Sequence, residues 1–91
     1  MLRPFLSVAI PAYNEDSRIS DTLEQVIGFL NAQPYSWEVL VADDGSTDGT
    51  AQLVGGLAEL HPNLRLISLP HRGKGWAVKN AMLAASGQYR C

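Results

Sequence analysis

Two acidic clusters stand at the ends of apolar runs: Pro11-Ala12-Tyr13-Asn14-Glu15-Asp16 after the first, and Asp43-Asp44-Gly45-Ser46-Thr47-Asp48-Gly49-Thr50 after the second. Open α/β sheets bind ligands at the carboxyl ends of their strands, so carboxylates and an aromatic ring gathered there outline a site. Tyr13 offers a flat ring that either stacks on a base or sugar or packs over the sheet end with its hydroxyl in water. Asn14 and Glu15 serve equally as turn residues or ligand contacts. Asp43 and Asp44 repel each other, and a chain that keeps both has a use for them. One can accept bonds from the amides of the following turn while the other meets a ligand. Asp-Asp-Gly-Ser is also ordinary turn chemistry, and Asp48 stands where a helix cap belongs.

The third cluster, His71-Arg72-Gly73-Lys74-Gly75, is basic. Arg72 and Lys74 fall just before or inside the first turn of a predicted helix, where positive charge opposes the dipole by about 0.3–1 kcal/mol each and an anion is attracted. A phosphate suits such a helix start, and a solvated surface charge is the alternative for Arg72. His61 and His71 have no second His or Cys at ligand spacing, so both read as loop residues. An aromatic plate, an aspartate and a lysine at a helix start are the kinds of group that the base, ribose and pyrophosphate of a nucleotide need.

The elements that must position these groups follow from periodicity. Phe5 to Ile10, stopped by Pro11, reads as a buried strand, and Trp37 to Ala42 and Leu64 to Leu69 read as two more. Ile19, Leu23, Val26, Ile27 and Leu30 share one helical face, with Asp16 or Ser17 as its cap and Pro34 beyond its end. A second helix from about Thr50, capped by Asp48, puts Leu53, Val54, Leu57 and Leu60 on one face; Gly55 and Gly56 weaken it by roughly 1 kcal/mol each. A third begins near Gly75, carries Ala77, Val78, Ala81, Met82, Ala84 and Ala85, and stops at Gly87. Gln88 to Cys91 reads as the start of a fourth strand. The order β-α-β-α-β-α-(β) predicts a Rossmann-like three-layer α/β/α sandwich with a mainly parallel sheet, and all three βα loops then open on one edge.

Composition narrows the function classes. Ninety-one residues, 46% of them hydrophobic and 18% charged, fit one small domain, residues 1–91. A chain of this size hides roughly 60–65% of the surface its unfolded form exposes. Seven Lys and Arg against nine Asp and Glu, without a basic run, exclude a nucleic-acid surface. Cys91 is the single cysteine, so neither a disulfide framework nor a cysteine metal cage is available. No signal-peptide pattern opens the chain, and no run approaches the ~18 apolar residues of a membrane span, so any membrane association is expected through segments outside it. The first loop, Pro11 to Ser20, holds no glycine, which removes the dinucleotide fingerprint, and Gly73-Lys74-Gly75 lacks the spacing and the Ser or Thr of a P-loop.

Three segments in order, Ser7 to Glu15, Glu38 to Thr50 and Arg72-Gly73-Lys74-Gly75, resemble the first half of family 2 glycosyltransferases with the GT-A fold, along nearly the whole chain. The last run, followed by Ala77, is most similar to dolichyl-phosphate β-glucosyltransferases and related polyprenyl-phosphate hexosyltransferases. The resemblance implies a nucleotide-diphosphate sugar donor of the UDP-glucose or GDP-mannose type, a polyprenyl or dolichyl phosphate acceptor, and transfer with inversion. It carries base and ribose contacts to Pro11, Tyr13 and Glu15, strand-end contacts to Ala42 and Asp44, and a phosphate contact to Lys74, with Asp43, Arg72 and Gly73 as secondary candidates. It puts the Asp-X-Asp motif that holds Mg2+ or Mn2+ after Cys91. Residues 1–91 are therefore expected to be the incomplete nucleotide-binding half of an enzyme of the cytoplasm or the cytoplasmic face of a membrane, inactive alone and without catalytic or metal residues of its own. A nucleotide-binding module without catalysis and a phospho-receiver domain, phosphorylated on Asp43 or Asp44, are the alternatives.

Overall fold

In the computed structural model, which describes residues 3–91, the expected alternation forms a four-stranded sheet: β1 (Leu6–Ala12), β2 (Trp37–Asp44), β3 (Leu64–Leu69) and β4 (Tyr89–Arg90). Three helices, α1 (Ile19–Asn31), α2 (Thr50–Leu60) and α3 (Lys74–Ala84), connect them. The strand order is β3-β2-β1-β4 and every pairing is parallel. Consecutive parallel strands need crossover helices, which cover both faces of the sheet and bury its centre. All eight residues of β2 are buried as a result.

Side-chain alternation along β2 separates two cores. Val39 and Val41 point to the side of α1 and α2, meeting Ile19, Leu23, Ile27, Leu30 and Val54. Leu40 and Ala42 point to the other side, where Ala77, Ala81 and Ala85 of α3 and its C-terminal flank let the helix lie close to the sheet. The three-layer arrangement is thus present as expected.

Several boundaries differ from expectation. The β1 strand runs through Pro11 to Ala12. Ser7 O accepts from Cys91 N–H and Ala9 N–H donates to Cys91 O, so with a period of two the missing N–H of Pro11 points away from β2. No bond of the β1–β2 ladder is lost there. Neither Asp16 nor Ser17 caps α1: its N-cap is Arg18, without a side-chain cap bond. The N-cap of α2 is Gly49, with Asp48 one residue earlier. On α2 only Thr50 and Val54 are buried, while Leu53 and Leu60 face solvent because the helix rests on the sheet by a narrower stripe than its leucines define. The α3 helix ends at Ala84, not Gly87.

That early end has a cause at the base of the sheet. Glu38, 8% exposed, accepts from Ser7 Oγ at 2.5 Å, Ser86 N–H at 2.7 Å, Ser86 Oγ at 2.8 Å and Arg65 Nη2 at 3.1 Å. Ser86 is drawn out of the helical path, and Gly87 N–H donates to Ser7 Oγ at 2.8 Å. Burial alone would raise the pKa of Glu38, but bonds from Ser7 and Ser86 and the charge of Arg65 hold it down at about 2, against an ordinary 4.5. A depressed pKa contributes stability that is present above the unfolded-state value and lost as pH falls through the folded-state value. Unfolding by urea at several pH values should therefore show stability falling as pH drops from 4.5 towards 2. Glu38→Gln should flatten that window by about one proton and cost roughly 2–3 kcal/mol at pH 7.

Candidate functional site

The site lies at the opposite, carboxyl edge, where the loops after β1, β2 and β3 meet. The loops after β1 and β2 are buttoned together. Asn14, in the left-handed region at φ 51°, donates its N–H to Ser46 Oγ at 2.9 Å, and its Oδ1 accepts from Thr47 N–H at 2.8 Å. Glu15 N–H donates to Thr50 Oγ1 at 2.8 Å, Gly49 N–H to Asp16 Oδ2 at 3.2 Å, and Asp16 N–H to Asp48 Oδ2 at 3.2 Å. Burial would raise the pKa of Asp48, yet the Thr50 hydroxyl, Thr50 N–H and Asp16 N–H together lower it. Asn14, Asp16 and Asp48 therefore hold backbone in place.

The two neighbouring aspartates divide their work. Asp43 closes its own turn, accepting from Ser46 N–H at 3.1 Å and Ser46 Oγ at 2.5 Å. Asp44, only 3% exposed, reaches across to the loop before α3: its Oδ1 accepts from Arg72 N–H at 2.8 Å and its Oδ2 from Gly73 N–H at 2.9 Å. The Arg72 N–H is the strongest influence on Asp44 and lowers its pKa; burial opposes it, and Gly73 N–H and His71 add to the lowering. Gly45 makes this reach possible. Its φ is 70°, and a Cβ there would lie 2.6 Å from the backbone nitrogen of His71.

These loops enclose a cleft of about 520 Å³ lined by Pro11, Ala12, Tyr13, Glu15, Asp44, His71, Gly73 and Lys74. Five of the six principal residues predicted from the sequence line it; Ala42 does not, being fully buried against α3. Of the secondary ones Gly73 lines it, while Asp43 sits in its turn and the Arg72 guanidinium lies 5.1 Å from the Trp76 ring centroid in a cation–π contact. The Glu15 carboxylate pairs with Arg18, whose Nε stands 2.9 Å away. Lys74 opens α3 and has no carboxylate in ion-pair range among the described residues. Two lining residues were not candidates in the sequence: Ala12, and His71, which read as a loop position. No ligand spacing marks His71; its place in the basic cluster that follows β3 was the available signal.

A cleft with an aromatic wall at one strand end and an ammonium group at a helix start is shaped for a ring joined to an anion. Residues 7–91 match the family described as glycosyl transferase family 2. The chain belongs to that family. It is 44% identical over 93 residues to the dolichyl-phosphate beta-glucosyltransferase of Dictyostelium discoideum, covering 93% of this chain and 28% of that protein. The corresponding enzyme of Saccharomyces cerevisiae is 40% identical over 92 residues, with the same coverage. The chain thus spans a little over a quarter of the length of these relatives. Among solved structures, the mannosyltransferase PcManGT from Pyrobaculum calidifontis, in complex with GDP-Man and Mn2+, superposes with a TM-score of 0.74 at 36% identity, over 97% of this chain and 26% of that one. S. aureus TarS 1-349 in complex with UDP gives 0.77 at 31% identity, over 94% and 25%.

The Asp44 bridge requires a residue without Cβ at position 45. Gly45→Ala should lower stability by about 1–3 kcal/mol, the cost of one strained backbone position plus the clash with His71. Chemical denaturation checks this, and a stability equal to the parent's would show that the loop before α3 moves away without cost.

Proposed function

We propose that this chain is the nucleotide-binding half of a family 2 hexosyltransferase that takes a nucleotide-diphosphate sugar and, in the complete enzyme, transfers the hexose with inversion to a polyprenyl or dolichyl phosphate. The observation that carries the reading is the meeting of Tyr13, Asp44 and Lys74 around one cleft. The printed names of the relatives support the acceptor class, and the GDP-Man and UDP complexes of the structural neighbours support the donor class. Phospho-transfer to Asp43 or Asp44 is disfavoured because both carboxylates are already hydrogen-bonded by the chain itself.

The chemistry follows from the groups present. Tyr13 presents a ring on which a base can stack, and Lys74 places positive charge at the first turn of α3, where the diphosphate benefits from both charge and dipole. An acceptor phosphate is ionised near neutral pH, so a strong general base is less necessary than for a sugar hydroxyl. Positioning of donor and acceptor then supplies much of the acceleration.

A divalent cation would stabilise the leaving diphosphate. The described residues do not fit one: no group of three or more His, Cys, Asp or Glu gathers there, and Asp44 spends its oxygens on backbone N–H groups. The resemblance assigns the Asp-X-Asp carboxylates to sequence after Cys91. No helix among the described residues is long and apolar enough to cross a membrane, so contact with a lipid-linked acceptor at a cytoplasmic membrane face falls to other segments of a complete enzyme.

Calorimetric titration with UDP, GDP and uridine tests the reading. Tyr13→Ala should weaken all three by roughly tenfold, as for loss of one stacked base. Lys74→Ala should weaken UDP and GDP while leaving uridine unchanged. Equal loss for uridine and UDP would remove Lys74 from the phosphate site, and absence of binding by the parent chain would refute the reading.

A further inference from the structure

Tyr13 is 42% exposed, and no hydrogen bond reaches its hydroxyl among the described residues. Its ring stacks on that of His71, with the centroids 4.2 Å apart and 22° between the planes. The imidazole is itself anchored. Its Nδ1 stands 3.0 Å from the carbonyl oxygen of Asp44 and 3.0 Å from Asp44 Oδ2. Two acceptors around one ring nitrogen require a proton on that nitrogen, which fixes both the tautomer and the ring plane. The backbone of His71 is equally confined, pressed against Gly45 on one side and followed by the two N–H groups that Asp44 binds.

An exposed tyrosine that serves as a stacking plate would lose rotational freedom each time a ligand ring settled on it. A ring already stacked beneath it removes that loss beforehand. We propose that His71 is a positioning residue of the cleft, which holds Tyr13 ready as the base-stacking plate and links it, through Asp44, to the loop that presents Lys74. This rests on the nucleotide-binding reading above and adds to it a residue that acts through Tyr13 instead of touching the reacting atoms. One face of the Tyr13 ring is committed to the imidazole, and the ligand ring takes the other.

The test is a double-mutant cycle on the affinity of the chain for UDP and GDP, with His71→Ala, His71→Asn, His71→Phe, Tyr13→Ala and the His71→Ala/Tyr13→Ala double variant. His71→Ala should weaken binding about three- to tenfold, the cost of immobilising one side chain on binding. His71→Asn, which keeps an N–H donor but no ring, should behave like the alanine variant, and His71→Phe should restore most of the loss. In the Tyr13→Ala background His71→Ala should cause no further loss, whereas a merely structural role would weaken both backgrounds alike. The Tyr13 ring protons should also move downfield in the ligand-free NMR spectrum when the imidazole is removed. Unchanged or tighter binding by His71→Ala, or additive losses, would overturn the inference and leave the nucleotide reading standing. Unchanged Tyr13 resonances would overturn the stack itself. If the parent chain bound neither nucleotide, both readings would fall.

Discussion

The functional edge depends on one carboxylate that binds backbone. Asp44 ends β2, the most buried strand, and its two oxygens grip consecutive N–H groups at Arg72 and Gly73, 28 and 29 residues further along. An ionised group that is 3% exposed stays charged only when donors satisfy it, and here the donors belong to the loop that starts α3. The bond therefore fixes the entry of α3 relative to the centre of the sheet. Lys74 follows immediately and inherits its position from this grip, while the glycine after Asp44 lets the two chains approach.

A second set of contacts fixes the other side of the cleft in a different way. The loop after β1 carries Tyr13 and Glu15, and it is tied to the loop after β2 through Asn14, Asp16, Asp48 and Thr50, in both directions and mostly to backbone. The loop after β2 is thus the common partner, bonded on one side to the β1 loop and on the other to the β3 loop. At the far end of the sheet Glu38 plays the corresponding part for β4, gathering Ser7, Arg65 and Ser86. The β2 strand carries three buried acids, Glu38 near its start and Asp43 and Asp44 at its end, and each accepts hydrogen bonds from a segment that it holds in place.

The element order, the parallel sheet and the helix stripe of α1 were legible because apolar spacing alone specifies them. The features that were missed depend on tertiary partners. Pro11 stays inside β1 because its nitrogen points away from β2, a matter of register with a neighbouring strand. The expected caps failed because Asp16 found a donor in Gly49 and Ser86 found an acceptor in Glu38. Leu53 and Leu60 followed the helical period, but the area that α2 offers the sheet does not extend to them. The site was legible as residue types at strand ends and, through the family resemblance, as most of the residues that line the cleft; the partners that hold them were not. Asp43 and Asp44 are indistinguishable in sequence, yet alternation sends one into its own turn and the other across to α3. His71 carried no motif, and its role is visible only from the ring beside it.

Hydrogen-bond saturation also explains what kind of ligand the cleft suits. Five acids stand at this edge, and each has a donor within the chain: Asp16, Asp43, Asp44 and Asp48 backbone or hydroxyl groups, and Glu15 the guanidinium of Arg18. An anion approaching the cleft meets carboxylates whose charge is already compensated by aligned N–H groups, together with an ammonium group that has no carboxylate within ion-pair range among the described residues. The sequence at this edge is rich in acids and the chain as a whole carries a net charge of -2, so the positions of the donors and of Lys74 decide where around the cleft negative charge is tolerated. Counting charges along these loops does not give the field at the cleft, because the count ignores the donors that the fold aims at the acids.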